Sequence, residues 1–367
     1  MDDHSISIIN DQHIYSGTYI HAAGIHTNLL NHNISSKFYQ FSIQGKLDDL
    51  PPNTTVTKGF LYSKESKGSI AYKMSLGLNF ISNRNWRIFK NIKDGMIILS
   101  GPTLLPLTKY YRNSIVLGHD LYFLDQKGFT LEGHHLRNLY KKFNDANTII
   151  VNSNFTKSEF VKKLGVSSEK LFIAYPYVDM QAFHPGKSNI RDLIKANEND
   201  VLLLSVGGDN PNKNIETILH LLKKLPENFK LIRVGRNYRT NKLIRTLGLE
   251  SRVFRMENVN REFLSMLYRG SDIFIFPSTS EGFGIPLIEA MASGIPIITS
   301  DRGSLPEVID NTDLICDPLD IYNMESKILK INGEESFRNE IIEKELERVK
   351  AFSQEMQYKA LKSVLNL

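Results

Sequence analysis

Residues 277–294, with the sequence PSTSEGFGIPLIEAMASG, carry the strongest structural signal in this chain. They follow the apolar run Asp272–Phe276, which is typical of a buried strand. Pro286 suits the first position of a helix, where its missing N–H group costs nothing, and Gly294 suits the residue after the last turn. The stretch therefore predicts a strand, a loop broken by glycines and a short helix.

The backbone of the predicted loop is suited to binding an anion. The N–H groups of Gly282, Phe283, Gly284 and Ile285 lie at the expected start of the helix, where the helix dipole adds positive potential. The two glycines let a phosphate or a sugar approach the backbone closely. We therefore expect these four residues to contact a bound ligand.

Two carboxylates flank this start. Glu289 is expected in the first turn of the helix, where it can accept hydrogen bonds from a vicinal diol such as a ribose. Glu281, in the loop, can reach the hydroxyl groups of a second ring beyond the phosphates. Taken singly, each is also explained as an ordinary acid favoured near a helix N-terminus. The glycines and the proline around them favour the binding interpretation.

Residues 281–289 resemble the glutamate–seven residues–glutamate signature of the retaining glycosyltransferases of family 4, and residues 294–309, GIPIITSDRGSLPEVI, continue that pattern. The resemblance implies an α/β fold of the GT-B type. In this fold two Rossmann-like domains face each other across a cleft, and the C-terminal helix crosses back to the N-terminal domain.

The resemblance also implies an activity. A hexose of the mannose or glucose type would pass, with retention, from a nucleoside-diphosphate sugar (GDP or UDP) to a glycan, a lipid-linked or a small-molecule acceptor. No cofactor and no metal are implied. Two alternatives stay open: a nucleotide-sugar hydrolase or epimerase of the same fold, and a non-catalytic glycosyltransferase-like scaffold.

Bulk properties are consistent with this interpretation. A chain of 367 residues suggests two domains. The net charge of +5 suits anionic substrates or an anionic membrane surface, and no nucleic-acid motif accompanies it. Cys316 is the single cysteine, and the first residues lack a secretion-signal pattern. We expect a cytoplasmic protein, free or associated peripherally with the cytoplasmic face of a membrane.

Apolar runs alternate with segments of helical pattern, which predicts two parallel sheets built from βαβ units. A Pro/Gly break at residues 183–188 separates two sets of such runs. We predict an acceptor-binding domain over residues 1–186, completed by a helix at 347–367, and a donor-binding domain over residues 187–346. The predicted strands are Ile6–Ile9, Met96–Leu99, Ile115–Leu117 and Thr148–Val151, then Val201–Val206, Leu231–Val234, Val253–Phe254, Ile273–Phe276 and Ile295–Thr299.

A second glycine motif opens the predicted donor-binding domain. The run Val201–Val206 ends in Gly207, and Lys213 resembles the phosphate-binding lysine of the family. Many relatives carry an arginine directly after the first glycine, whereas this chain has Gly208. The second phosphate contact is then left to backbone amides, to Arg236 or to Arg239.

Three further positions have candidate roles by resemblance. Asn258, in the loop after the run at Val253, is expected beside the nucleobase, and Gly17 in a loop near the donor phosphates. His119 closes a predicted strand, where ligands bind in open α/β sheets, and resembles the active-site histidine that contacts the donor sugar. The catalytic candidates are therefore His119 and Glu281.

Two other segments have ordinary explanations. His134 and His135 lack convincing metal-ligand partners. The basic and aromatic residues 84–93 suit a partly buried helix with a solvated basic face better than a membrane or acceptor contact.

Overall fold

The computed structural model describes residues 5–12, 16–41, 50–57, 95–111, 113–125, 137–235 and 239–367. The basic segment 84–93, the pair His134–His135 and Arg236 lie outside these ranges, so the expectations placed on them are not addressed.

The chain divides into two units. The first comprises residues up to Asn152, Lys157–Ala174 and Ala360–Leu367, and the second comprises Ser153–Thr156 and Tyr175–Lys359. The last helix, Gln354–Leu365, therefore ends within the first unit. The predicted roles of residues 1–186 in acceptor binding and of 187–346 in donor binding stay predictions.

The first unit contains a seven-stranded sheet with the strand order β3-β2-β1-β4-β5-β6-β7, in which all paired neighbours are parallel. Helices Gly17–Asn31 and Asn154–Leu164 follow β1 and β6, in the manner of βαβ units. The strands are β1 Ile6–Asn10, β2 Ser36–Phe41, β3 Thr54–Thr57, β4 Met96–Leu99, β5 Ser114–Gly118, β6 Thr148–Val151 and β7 Leu171–Ile173.

Both faces of this sheet are covered. Along β5, Ile115 and Leu117 point into one apolar cluster and Val116 into another, as the two-residue period of a strand requires. Leu361 and Leu365, near the end of the chain, belong to the first of these clusters. Burial on two faces explains why the strands read as continuous apolar runs.

The second unit contains a six-stranded parallel sheet with the order β10-β9-β8-β11-β12-β13. Its strands are β8 Val201–Val206, β9 Phe229–Val234, β10 Val253–Met256, β11 Ile273–Phe276, β12 Ile297–Ser300 and β13 Ile315–Cys316. Its helices are Ile190–Ile194, Ile215–Lys224, Asn241–Leu247, Arg261–Gly270, Ile285–Ser293, Leu305–Ile309, Ile321–Gly333 and Glu335–Arg348.

The strand order of the second unit fixes where a ligand is expected. From β8 the chain adds strands on one side of the sheet up to β10, and β11 then pairs with the other side of β8. In open parallel sheets, ligands bind at such a reversal, beyond the carboxyl ends of the strands. The loops after β8 and β11, which contain both glycine motifs, meet there.

The nine predicted strands are all present, and the α/β prediction of two Rossmann-like units is confirmed. Four strands were not predicted: β2, β3, β7 and β13. Within the described ranges no helix has the length and apolar character needed to cross a bilayer.

Candidate functional site

Two loops at the carboxyl edge of the second sheet are joined by backbone contacts. The N–H of Thr279 donates to the carbonyl of Asn212 over 2.8 Å, and the Asn212 amide donates to the carbonyl of Ser280 over 2.9 Å. The loop after β8 and the loop after β11 therefore hold each other in a fixed register.

Gly207, directly after β8, lies close to the backbone of Gly235, directly after β9. Its φ is +148°, a conformation that disfavours a side chain. A methyl group built on Gly235 would lie 1.8 Å from the carbonyl oxygen of Gly207, so the two backbones touch. The Lys213 stem packs 3.5 Å from the position that a Gly207 side chain would take.

Lys213 and Glu281, one from each loop, form an ion pair. The ammonium Nζ lies 2.5 Å from Oε1 of Glu281, and the side chains are 18% and 12% exposed. The ammonium also lies 5.1 Å from the centroid of the Phe276 ring. The structure thus brings Lys213, predicted to bind phosphate, into direct contact with Glu281, predicted to bind the sugar. Both side chains are partly exposed.

The backbone of Glu281 is held by the loop after β12. The N–H and the hydroxyl of Ser304 each donate to the carbonyl of Glu281 over 3.2 Å. Gly303, with φ +65°, leaves no room for a side chain, because a methyl group there would lie 2.6 Å from the same carbonyl. The backbone of Glu281 is therefore held by Ser304, and Gly303 leaves the room that it needs.

The residues after Glu281 adopt the predicted loop, broken by glycines, before a short helix. Gly284 has φ +96° and precedes the helix Ile285–Ser293, which ends at Gly294 with φ +69°. Within the described part of the chain, the N–H groups of residues 282–285 donate no hydrogen bond. The contact of Gly282, Phe283, Gly284 and Ile285 with a bound ligand stays a prediction.

The carbonyl of Gly282 is hydrogen-bonded within the protein. It accepts hydrogen bonds from the hydroxyls of Ser153, at 2.6 Å, and Thr156, at 3.1 Å. Ser153 also accepts from the N–H of Thr156 over 2.9 Å, which makes it the N-terminal cap of the helix Asn154–Leu164. The Phe283 ring packs with Tyr175 and Phe352, and the residue is 3% exposed, so its side chain is not available to a ligand.

The expected place of Glu289 needs a correction. The helix begins at Ile285, so Glu289 opens the second turn, and the first turn has no acidic residue. Its carboxylate accepts a hydrogen bond from the Tyr268 hydroxyl over 3.0 Å. Burial raises the pKa of Glu289 to about 7, although the Tyr268 hydrogen bond and the charge of Arg261 act in the opposite direction. Protonated and ionised forms therefore coexist near neutral pH.

Asn258 follows β10, is exposed and has φ +53° in a loop at the same edge of the sheet.

Two arginines lie near the first glycine loop. Arg239, one candidate for the second phosphate contact, donates from its backbone N–H to the Asp209 carboxylate over 2.6 Å. Its side chain is exposed. Sequence reasoning missed Arg233, which is buried beneath the first glycine loop.

In the first unit, His119 directly follows β5, as predicted. Its ring packs edge-on against His21 at a centroid distance of 5.3 Å, and its Nε2 has no hydrogen-bond partner among the described residues. Burial lowers the pKa of His119 well below its ordinary value, and the neighbouring His21 lowers it further. The imidazole is therefore neutral at physiological pH.

The carboxyl edge of the first sheet carries polar residues that were not predicted. The strand order reverses between β1 and β4. There Ser100 donates to Asn10 over 2.6 Å, and Thr103 donates to the carboxylate of Asp11. Gly17, expected in a loop, is instead the first residue of the helix Gly17–Asn31, capped by Ser16.

A metal site needs several ligating side chains close together. Across the described ranges, no three His, Cys, Asp or Glu side chains are placed together to hold an ion. The expectation that the protein needs no metal stays a prediction.

Residues 186–348 match the family model described as "Glycosyl transferases group 1". Over 187 residues, half of each chain, the sequence is 32% identical to the O-antigen chain mannosyltransferase RfbU of Salmonella typhimurium strain LT2. The chain spans about half the length of the curated relatives it matches.

Solved structures with the same fold cover the whole chain. Sucrose-phosphate synthase from Thermosynechococcus elongatus aligns with a TM-score of 0.81 at 18% identity, over 99% of this chain and 98% of that one. Anabaena HepE, solved in complex with UDP and glucose, aligns with a TM-score of 0.79 at 16% identity, over 99% of both chains. These likenesses confirm the GT-B fold, and residues 186–348, less than half of the chain, are similar to the glycosyl transferases group 1 family.

Proposed function

We propose that the chain is a retaining glycosyltransferase that moves a hexose from a nucleoside-diphosphate sugar to a glycan, a lipid-linked or a small-molecule acceptor. The observation that carries this proposal is the meeting of Lys213 and Glu281, from two loops at the reversal of the second sheet, with Nζ and Oε1 2.5 Å apart. The ammonium suits the diphosphate of a nucleotide sugar, and the neighbouring carboxylate suits the hydroxyl groups of its sugar ring.

The diphosphate is the leaving group. As the bond between the anomeric carbon and the β-phosphate oxygen breaks, negative charge develops on the phosphates. Lys213 and the open N–H groups of residues 282–285 stabilise that charge where it appears. Their backbone is already fixed by the loop contacts, so little reorganisation is needed when the charge forms.

The sugar and the nucleoside use the remaining groups. Glu281 accepts hydrogen bonds from sugar hydroxyls, Glu289 from the ribose diol, and the loop at Asn258 borders the base. Neutral His119 supplies a ring nitrogen to a sugar hydroxyl beside the reacting carbon. The acceptor hydroxyl attacks on the face that the diphosphate leaves, and its proton passes to the departing phosphate oxygen.

The acceptor is assigned to the polar edge of the first sheet. Asn10, Asp11 and Thr103 lie where the order of that sheet reverses, which is where an open parallel sheet binds its ligand. Their amide, carboxylate and hydroxyl groups suit the hydroxyls of a carbohydrate.

The names of similar proteins indicate which donor sugars to test first. A mannosyltransferase is among the curated relatives, and HepE was solved with UDP and glucose. Both support a hexose donor, with mannose on GDP and glucose on UDP as the first two to test.

The test is donor turnover by the purified chain. UDP- and GDP-hexoses are incubated with and without simple glycoside acceptors, and release of nucleoside diphosphate and the anomeric configuration of the product are followed by NMR. We expect acceptor-dependent release from one donor, retention in the product, and loss of both with Glu281→Ala. Acceptor-independent release of free sugar indicates a hydrolase, and absence of turnover and binding for every donor overturns the proposal.

A further inference from the structure

Arg233 is a charged residue within the core of the second unit. It lies near the end of β9, is 1% exposed, and pairs in register with Ser205 of β8. Its guanidinium donates to the carbonyls of Gly208, at 2.8 Å, and Ser205, at 3.4 Å, and also to Val234. The side chain thus lies directly beneath the turn Gly207–Gly208.

The charge of Arg233 is only partly balanced. The described residues give it no ion-pair partner, and its Nε has no hydrogen-bond acceptor among them. Burial lowers the pKa of Arg233 to about 10, while the charge of Asp209 acts in the opposite direction, so the group stays cationic at neutral pH. Burying a cation without a paired anion is costly unless something else compensates for it.

A second buried arginine in the same unit shows the contrast. Arg252 is 2% exposed and donates to the carbonyls of Phe229, Leu225 and Pro226 at the amino end of β9. It also forms an ion pair with Glu227 over 3.4 Å. Arg252 therefore has an acidic partner among the described residues, and it lies at the amino edge of the sheet, opposite the glycine loops.

We infer that Arg233 is a positioning residue of the diphosphate site, and that the negative charge missing around it is supplied by the bound diphosphate. By holding the Gly208 carbonyl, it turns a repulsive oxygen away from the ligand. Its charge adds to that of Lys213, whose stem packs against Gly207 in the same turn. It adds positive charge from beneath the turn and does not replace the direct phosphate contact for which backbone amides, Arg236 and Arg239 are the candidates. This inference rests on the proposed function.

The test compares a charged ligand with its uncharged part. Dissociation constants for UDP and uridine, and for GDP and guanosine, are measured by calorimetry, with competition where binding is weak. The variants are Arg233→Gln and Arg233→Lys, with Arg252→Gln as the matched control. We expect Arg233→Gln to weaken diphosphate binding on the order of tenfold and to leave nucleoside binding unchanged. Arg233→Lys should give a smaller loss of the same kind.

The control separates positioning from structure. Arg252→Gln should lower the melting temperature without changing the preference for diphosphate over nucleoside. If Arg233→Gln does not fold, Arg233→Lys alone must weaken the diphosphate more than the nucleoside. Equal changes for both ligands, or none, overturn the inference while leaving the proposed function intact. A wild-type chain that binds neither diphosphate refutes the proposed function and, with it, this inference.

Discussion

The ammonium of Lys213 lies 2.5 Å from the carboxylate of Glu281, and the two residues come from different loops of the second unit. Without a ligand, each is the partner of the other. We propose that a bound diphosphate competes with Glu281 for the ammonium and frees the carboxylate for sugar hydroxyls. This exchange of partners links binding of the phosphates to binding of the sugar.

Glu281→Gln should tighten binding of free nucleoside diphosphate and lower turnover of the nucleotide sugar. The amide removes the charge that competes for Lys213, which we expect to lower the dissociation constant by roughly threefold to tenfold. Calorimetry with the diphosphate and a turnover assay test the two effects. Lys344→Ala, which breaks the exposed Lys344–Glu340 pair, serves as control and should change neither. Weaker diphosphate binding by Glu281→Gln would contradict the competition.

Glu289→Gln should stabilise the fold more at high pH than at low pH. The ordinary pKa of this carboxyl is 4.5 and burial raises it to about 7 in the folded chain. Between these values the folded chain binds the proton more tightly, so this group lowers the free energy of unfolding as pH rises, by up to about 1.4 kcal/mol per pH unit. Above a pH of about 7 the loss is complete.

Melting temperatures of the wild type and Glu289→Gln across this range test the linkage. The gain from the substitution should be small near pH 4.5 and greatest above about pH 7. A gain that does not vary with pH would show that the folded-state pKa of Glu289 is not raised.

Gly303→Ala should destabilise the second unit and impair donor turnover. A methyl group there would lie 2.6 Å from the carbonyl of Glu281, at a φ of +65°, so the loop that carries Glu281 must shift. We expect a loss of about 2–3 kcal/mol. Gly248→Ala is the control, since its φ is +67° with no atom within 4 Å of the added methyl. It should cost only about 1–2 kcal/mol and leave turnover unchanged. Equal effects on turnover would contradict the role of this contact.

His119→Ala should lower kcat more than donor affinity, whereas Glu289→Ala should mainly weaken donor binding. His119 is assigned to the sugar beside the reacting carbon, and an interaction made there is strongest in the transition state. Steady-state kinetics and equilibrium binding of the donor separate the two effects. The assignment fails if both variants change kcat and affinity in equal proportion.

Local chemistry could be predicted from the sequence better than contacts between distant segments. Gly284 and Gly294 were expected at the ends of one helix, and both adopt positive φ there. Strand β2, Ser36–Phe41, was missed because its sequence SKFYQF mixes polar and apolar residues instead of forming an apolar run. An apolar run is typical of strands that are buried on both faces.

The site shows the same limit. Lys213 and Glu281 were each identified, but their ion pair depends on the register of two loops from separate strands. Arg233 gave no signal, because a lone arginine in an apolar strand does not reveal which carbonyls surround it. Glu289 was placed in the first turn instead of at the start of the second because the helix begins at Ile285, one residue before the expected start at Pro286.

The most direct test of the central claim is the binding of nucleoside diphosphate to Lys213→Ala. The claim is that the two glycine loops of the second unit hold the diphosphate, with the Lys213 ammonium as its principal cation. Isothermal titration of the wild type with UDP and GDP should show binding of one of them, and Lys213→Ala should weaken it on the order of tenfold to a hundredfold. Binding of the diphosphate by Lys213→Ala with wild-type affinity would contradict the account.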